Sequence, residues 1–562
     1  MKWVLNPKPD PALVKALSTE FGVAESVTAL AIQRGFDSRE SLSHFFYPRL
    51  KDISDPFSLP GMQAAVDRVL QAVQKKEKIA LYGDYDVDGV TSIALLNHIL
   101  SQYGLPLTRF LPARLEEGYG LSREGIERAI MDGDPSLLIA ADCGTNSRDE
   151  AEMLRKLGVD LIVLDHHEPS PDGIADCVSV VNPKLGDDFH YLCTAGVVFK
   201  FGHALLKQCP VPGFDLRDYL DLVALGTVAD IVPLVDENRI FVRRGLQQLD
   251  RSIHPGLQAL KEIAAVTSPV RASDVGFKLG PRLNAAGRLD TAMASLELVL
   301  SNDYSQAEFF ASELDNRNRE RQSLEHQTRD EAEAMIEAMD SSLRTSGIVV
   351  GQQGWHPGVV GIVASRISKM YHRPTFVIAF DDDGLGKGSG RSVEGVSLVE
   401  ALESCRELIE DGGGHDMAAG VSLRMENLEA FQAAFAKHIE SVANSDTLTP
   451  KLHIDAETTL NDLTIELLES YELLRPFGSN NPQPLFLCRG VDLAIEPRLI
   501  RERHQKFRLM QNGVHREAIY FNSAHIDLPK PPWDVAFTID RNEFRGLVGI
   551  SIVIQGIRKS TA

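Results

Sequence analysis

Short apolar runs alternate with longer helical stretches through the first 235 positions of the chain. Met62–Lys75 predicts a helix, and Lys78-Ile79-Ala80-Leu81-Tyr82 predicts a short buried strand that ends in Gly83-Asp84. Leu137-Leu138-Ile139-Ala140-Ala141 and Leu161-Ile162-Val163-Leu164 repeat that pattern. Short apolar strands separated by helices predict a parallel sheet covered on both faces.

The pattern changes further along. Residues 1–55 read as a small helical entry segment, and residues 56–290 as the first α/β domain. Within the connection 291–345, Tyr304–Met339 is charged and lacks Pro and Gly, which predicts a long, solvated helix joining two domains. A second α/β unit is expected over 346–440, opening with the strand Gly347-Ile348-Val349-Val350. Ser441–Pro450 is a polar linker. Residues 451–560 alternate short β-like runs with turns and predict a small β-barrel.

A chain of 562 residues is too long for one hydrophobic core, and three or four domains are expected. With 43% hydrophobic and 24% charged residues the composition is that of an ordinary globular protein. No apolar run reaches membrane-spanning length, and Met1–Pro7 has no signal-peptide core, so no membrane association and a cytoplasmic location are expected. The six cysteines are scattered and form no CxxC pair, which argues against a zinc knuckle or a disulfide framework. The net charge of −21 argues against a protein that coats nucleic acid. It leaves a nuclease open, because salt-dependent binding follows the phosphates contacted locally.

Charge matters most where it is concentrated. Asp84-Tyr85-Asp86-Val87-Asp88-Gly89 places three carboxylates at alternate positions just after a strand. An EF-hand calcium loop opens in the same way but needs a Glu at its twelfth position and a preceding helix. Here that position is Leu95 and the preceding element is a strand. The runs 137–141 and 161–164 end in Asp142 and in Asp165-His166-His167, and the apolar stretch Leu222–Val235 carries Asp230. Residues at the carboxyl ends of parallel strands converge on one crevice. Asp is disfavoured in strands and costly to bury unpaired, so packing gives no reason for this pattern. One such Asp is usually a helix cap or a turn former, and one His pair is usually surface or core. Together they repel one another unless cations neutralise them. The expectation is a cluster of two ions, and oxygen ligands with one or two imidazoles suit Mn²⁺ or Mg²⁺. A bridging carboxylate holds such ions roughly 3.5–4 Å apart.

Asp86-x-Asp88-Gly89, Asp142, Asp165-His166-His167 and Asp230, in this order, resemble the four motifs of the DHH phosphoesterase superfamily. Its members include RecJ exonucleases, small phosphodiesterases and manganese pyrophosphatases. Gly280–Asp290, Trp355–Gly361, Gly388–Ser392 and Gly412–His415 narrow the resemblance to the RecJ exonucleases, over nearly the whole chain. Tyr82 stands where pyrophosphatases carry His, which argues against that branch. The resemblance implies a parallel-sheet DHH domain, a connecting helix, a DHH-associated domain and a C-terminal OB-like barrel. It implies Asp86, Asp88, Asp142, His166 and Asp230 as metal ligands, with Asp142 as the bridge. The resemblance also implies that His167 faces the substrate phosphate, as a contact or proton donor, and that Asp84 and Asp165 are carboxylates close to the metal ligands, Asp165 orienting a ligand imidazole.

Guanidinium forks suit phosphate oxygens, and Arg114, Arg282, Arg288 and Arg391 are candidates alongside Ser389. Each arginine also has an ordinary reading as a surface ion pair. The glycines around Ser389 let backbone N–H groups approach an anion. No Walker A motif is present, so no ATP requirement is expected. The resemblance implies a 5′-phosphate pocket of Arg114, Ser389 and Arg391, with Arg282 gripping the strand. His356 and His415 lie in glycine-rich loops, as turn residues or DNA contacts. Arg498–Met510 interleaves basic residues with Phe507, a composition that suits backbone tracking and base stacking, or else a solvated strand edge.

The resulting expectation is a monomeric, metal-dependent exonuclease that degrades single-stranded DNA in the 5′→3′ direction to 5′-mononucleotides. A narrow channel between the two α/β domains is expected to exclude duplex. By resemblance its partners are a single-strand-binding protein and a helicase, and its setting is DNA repair and recombination. The alternatives are a small-substrate phosphodiesterase, against which the barrel counts, and a non-catalytic scaffold, against which the occupied motif positions count.

Overall fold

The structure is a computed structural model that describes residues 1–112, 120–289, 292–544 and 546–560. Arg114 lies outside the described residues, as does the side chain of Arg288. The chain forms two compact units: residues 3–112, 120–280 and 452–560 make one, and residues 1–2, 281–289 and 292–451 the other.

The first unit holds a five-stranded sheet, all parallel. Its strands are β1 (Ile79–Gly83), β2 (Leu107–Phe110), β3 (Leu137–Ala141), β4 (Asp160–Leu164) and β5 (Ser179–Val181), in the order β2-β1-β3-β4-β5. Every residue of β1 and β3 is buried, which explains their unbroken apolar runs. Three helices close on the carboxyl edge of the sheet: α1 (Val87–Ser101), α2 (Thr194–Gln208) and α3 (Leu220–Ala229). The stretch Leu222–Val235, grouped above with the strand ends, is therefore a helix where it approaches Asp230. Leu220–Thr227 are all buried, and a helix buried all round shows no amphipathic period to separate it from a buried strand. α4 (Asp236–Asp250) follows after a short loop.

The N-terminal segment is not a separate entry module. It carries a strand, Lys2–Leu5, and three helices, Pro11–Phe21, Glu25–Gln33 and Arg39–Phe46. Leu17, Val27, Leu30, Phe45 and Phe46 share one core with Tyr471, Phe486, Phe507, Trp533 and Ile554 of the C-terminal region. The barrel is present: strands Phe486–Ile500, His504–Gln511, Val514–Tyr520, Leu547–Lys559 and Trp533–Phe544 pair in that order, and the last returns to pair with the first. Closure removes the exposed sheet edges.

The second unit holds α5 (Tyr304–Ala338), 35 residues long and capped by Asp303, and α6 (Pro357–Tyr371). The long helix is not solvated throughout. It buries Ala307, Ala311, Leu314, Ala332 and Ile336 together with Asp315, Asn318, Arg321 and Glu325. The polar members pair: Arg321 donates to Glu325 at 2.8 Å and to Asn318 at 2.9 Å. A charged pattern thus hid an interior face. The sheet of this unit is mixed. Strands β6 (Ile348–Gln353), β7 (Thr375–Phe380), β8 (Leu385–Arg391), β9 (Asp411–His415) and β10 (Ala418–Arg424) lie in the order β9-β10-β8-β7-β6, with only β6 and β7 parallel.

Candidate metal centre

The metal-site residues come together at the carboxyl edge of the parallel sheet. β1 runs into Asp84, β3 into Asp142 and β4 into Asp165. Asp86 is the N-cap of α1 and accepts from the backbone N–H of Asp88 at 2.9 Å and of Gly89 at 3.1 Å. Asp88, one position inside that helix, accepts from the backbone N–H of Thr194 at 2.7 Å and of Ala195 at 2.9 Å, the first turn of α2. A helix N-terminus favours an anion there. Asp230 arrives as the C-cap of α3. Asp142 takes φ +67, a left-handed backbone at the strand end, and its Oδ1 accepts from the Thr194 hydroxyl at 2.8 Å.

Three groups of donor atoms each lie within 4.8 Å: Asp84, Asp86 and Asp142; Asp142, His166 and His167; and Asp88, His166 and Asp230. Asp142 and His166 each belong to two of them. His166 Nε2 lies 3.4 Å from Asp230 Oδ2, 3.6 Å from Asp142 Oδ1 and 3.9 Å from Asp88 Oδ2. His166 Nε2 and Asp230 Oδ2 are both buried with no hydrogen-bond partner among the described residues. Burial, and then neighbouring carboxylates, push Asp88 up to about 6 and Asp230 up to about 8, and raise Asp142 in the same way. Burial, followed by the charge of His167, pushes His166 down to about 3. An unprotonated imidazole facing carboxylates that resist ionisation is a donor set with no neutralising partner of its own. It fits a divalent cation pair with mixed oxygen and nitrogen ligands.

Asp165 stands apart from those groups. Its Oδ2 accepts from the Thr145 backbone N–H at 3.1 Å and hydroxyl at 2.6 Å. Its Oδ1 receives the backbone N–H groups of His166 and His167 and lies 2.7 Å from His167 Nδ1. Burial opposes its ionisation, but the bond to His167 and that residue's charge hold it below the usual carboxylate range. Burial likewise opposes protonation of His167, and Asp165 outweighs it and raises that imidazole. Asp165 thus engages the ring of His167, with Thr145 behind it, and not the imidazole of the ligand candidate His166, whose backbone N–H alone it accepts. Asn182 joins Thr145 to the His167 carbonyl, with bonds of 2.9 Å to each. Thr145, Thr194 and Asn182 were not singled out from the sequence. Thr145 lies three positions beyond Asp142, Thr194 opens α2, and Asn182 follows β5.

Glycines make the site compact. A Cβ at Gly226 would come 2.7 Å from Asp88 Oδ1 and 2.7 Å from Thr91 Oγ1, and one at Gly89 would come 2.4 Å from the Asp84 carbonyl oxygen.

The second unit carries an open pocket of about 860 Å³ lined by Gly358, Gly361, Ser365, Lys387, Ser389 and Arg391, among others. Arg391 Nη1 donates to Ser389 Oγ at 2.9 Å and to the Gly390 carbonyl at 2.7 Å. A Cβ at Gly361 would come 3.1 Å from Ser389 Oγ, so the glycine keeps that wall open. Lys387 and Ser365 are pocket residues that the motifs did not mark. The remaining candidates sit differently. Arg282 is bound to Asp315 of the long helix at 2.9 Å, and Arg319 shares that carboxylate. His356 is the N-cap of α6, its Nδ1 accepting from the Gly358 backbone N–H at 3.0 Å. His415 is exposed at the end of β9, paired in register with Ala418.

Comparison with known proteins agrees with this geometry. Residues 78–227 match the DHH family, N-terminal domain, residues 344–441 the DHHA1 domain, and residues 454–556 the RecJ OB domain. The single-stranded-DNA-specific exonuclease RecJ of Bacillus subtilis is 36% identical over 94% of this chain, which spans 66% of that protein's length. The protein of the same description from Haemophilus influenzae is 35% identical, over 90% of this chain and 92% of its own. The crystal structure of RecJ from Thermus thermophilus with Mn²⁺ superposes with a TM-score of 0.86 at 30% identity, covering 100% of this chain and 80% of that one. The same Thermus protein with Mg²⁺ gives a TM-score of 0.80. The chain belongs to the RecJ family of DHH phosphoesterases.

Proposed function

We propose that this protein is a metal-dependent exonuclease that hydrolyses single-stranded DNA from its 5′ end and releases 5′-mononucleotides. The observation that carries the reading is the convergence of Asp86, Asp88, Asp142, His166 and Asp230, with His166 Nε2 and Asp230 Oδ2 buried and unsatisfied, in a member of this family. Those five side chains would hold Mn²⁺ or Mg²⁺, with Asp84 beside them. The chemistry such ions supply is Lewis acidity toward the attacking water and toward the phosphoryl oxygens.

The chain's own residues do the rest. Asp165 and Thr145 fix the His167 ring, so that its protonated form donates to a phosphate oxygen or to the departing 3′ oxygen. The first turn of α2 donates two backbone N–H groups to the Asp88 carboxylate and offsets part of the burial that raises it. In the second unit Arg391, Ser389 and Lys387 offer a guanidinium, a hydroxyl and an ammonium to a 5′-phosphate, and Gly361 leaves room for it. By resemblance Arg114 joins them. A held 5′ end sets the length of the product and the 5′→3′ polarity. A single-strand-binding protein and a helicase are the partners we assign by resemblance, with a monomer acting in cytoplasmic DNA repair and recombination. No described helix is long and apolar enough to cross a membrane.

The test uses a single strand labelled at its 3′ end, offered with a 5′-phosphate, with a blocked 5′ end, and in blunt duplex. Progressive shortening of the first substrate alone supports the reading. Cleavage of the blocked strand removes the 5′-end requirement. Turnover confined to dinucleotides moves the assignment to the small-substrate branch.

A further inference from the structure

The segment that leads into the barrel, Leu473–Pro482, is folded tightly upon itself. Asn481 is 2% exposed, and its Nδ2 donates to the carbonyls of Leu474 at 2.8 Å and Pro476 at 2.7 Å. Gly478 and Asn481 exchange backbone hydrogen bonds of 2.9 and 3.1 Å. Arg475 holds Asp540 at 2.7 Å and Glu472 at 2.9 Å, and lies 4.8 Å from the centre of the Phe477 ring. The turn built this way touches the loop that leaves Asp230. The Ser479 carbonyl accepts from the Leu234 backbone N–H at 2.9 Å. Gly478 lies directly on the Leu234 side chain, which is 3% exposed: a Cβ there would come 2.6 Å from Leu234 Cδ1.

That loop needs an external hold. Ile231, the residue after Asp230, has φ +62, a left-handed backbone that a β-branched side chain disfavours, and it is 74% exposed, so packing of its own side chain offsets little. Such strain persists only where the surroundings over-determine it. Asn238 of α4 supplies one restraint by donating to the Pro233 carbonyl at 3.0 Å. The Gly478–Ser479 turn supplies another at Leu234. Only three residues separate Leu234 from Asp230, so slack at Leu234 passes to the carboxylate.

We propose that the Gly478–Ser479 turn is a positioning element of the metal centre, acting through Leu234 on Asp230. The C-terminal region then sets cation affinity in addition to any contact it makes with DNA. This rests on the reading of Asp230 as a metal ligand. Groups beyond the direct ligands that orient them typically alter metal affinity by about 10–100-fold.

The experiment measures Mn²⁺ binding to the full chain without DNA, by electron paramagnetic resonance of the free ion. It compares wild type, Gly478→Ala, Leu234→Ala, the double variant and Asp230→Asn, with the thermal midpoint of each metal-free protein as a control. Gly478→Ala drives a methyl into Leu234 and is expected to weaken Mn²⁺ binding about tenfold. The double variant is expected to bind more tightly than Gly478→Ala alone, because the added methyl enters the space that Leu234 vacates. That non-additivity is a signature that general destabilisation does not produce. If Gly478→Ala binds as wild type while Asp230→Asn has lost binding, or if the double variant is merely additive, the inference is overturned and the metal reading stands. If Asp230→Asn binds as wild type, the metal reading itself fails. Should Gly478→Ala not fold, Leu234→Val shortens the side chain under Gly478 without adding an atom, and an unchanged Mn²⁺ affinity there overturns the inference.

Discussion

His166 Nε2 lies 3.4 Å from Asp230 Oδ2, and neither atom has a hydrogen-bond partner among the described residues. The pair has a consequence for stability. Clustered carboxylates repel in the metal-free protein, and ions that bind only the folded state stabilise it by about 2.7 kcal/mol at one hundred times Kd. Mn²⁺ is therefore expected to raise the thermal midpoint over that in EDTA. Asp230→Asn is expected to raise the midpoint in EDTA and to abolish the gain from Mn²⁺. Calorimetry of both proteins in both conditions checks this, and a variant that keeps the full Mn²⁺ gain contradicts it.

Gly226 tests the geometry without removing a ligand. The methyl of Gly226→Ala meets Asp88 Oδ1 and Thr91 Oγ1 at 2.7 Å. Overpacking of this kind costs about 1–3 kcal/mol of stability, and displacement of Asp88 is expected to weaken Mn²⁺ binding by more than about tenfold. Unfolding and Mn²⁺ titration of one preparation separate the two effects. A stability loss with unchanged Mn²⁺ affinity contradicts the placement of Asp88.

The apolar runs that stop at Asp84, Asp142 and Asp165 made three corners of the site legible, because a buried strand has few reasons to end in a carboxylate. Asp230 was legible as a residue, but its element was not: Leu220–Thr227 are buried on every side, and their sequence carries no period. Thr145, Thr194 and Asn182 were hidden, since Thr and Asn cap helices and form turns throughout any sequence. Arg282 and His356 have partners within the chain. Asp315, distant in the sequence, holds the Arg282 guanidinium, and His356 takes the turn role its loop also allowed, as the N-cap of α6. The barrel was legible from its turns, but its shared core with the N-terminal helices was not, because the residues that meet lie at opposite ends of the chain.

Arg391 lines the pocket of the second unit with Ser389 and Lys387. Arg391→Lys keeps the charge but loses the planar fork. Expected is a loss of about tenfold in kcat/KM on a 5′-phosphorylated strand, equivalent to about 1.4 kcal/mol, with little change on a 5′-hydroxyl strand. Competition between the two strands in one reaction reads the difference. Equal losses on both contradict a 5′-phosphate pocket.

Acid stability is expected to depend on His98, in the last turn of α1. Burial first, then the charge of His254, pushes it down to about 4. Its ring lies 4.7 Å from that of Tyr219 and 5.9 Å from that of His254, with Asp221 3.8 Å from the latter's Nε2. Between about pH 6.5 and 4 the unfolded chain takes up a proton that the folded chain refuses, so stability is full above that window and is lost as pH falls through it. The contribution is about 3 kcal/mol. His98→Phe is expected to lose less stability than wild type between pH 7 and 5 in urea unfolding. Parallel losses contradict the assignment.

The most direct test of the account follows 3′-labelled, 5′-phosphorylated single-stranded DNA with wild type and Asp142→Asn, each with Mn²⁺, with Mg²⁺ and with EDTA. The account predicts stepwise release of 5′-mononucleotides by wild type with either ion, none in EDTA, and a loss of activity in Asp142→Asn that added Mn²⁺ does not restore. Hydrolysis that survives EDTA, or an Asp142→Asn protein as active as wild type, would contradict a reaction carried by this cluster of carboxylates.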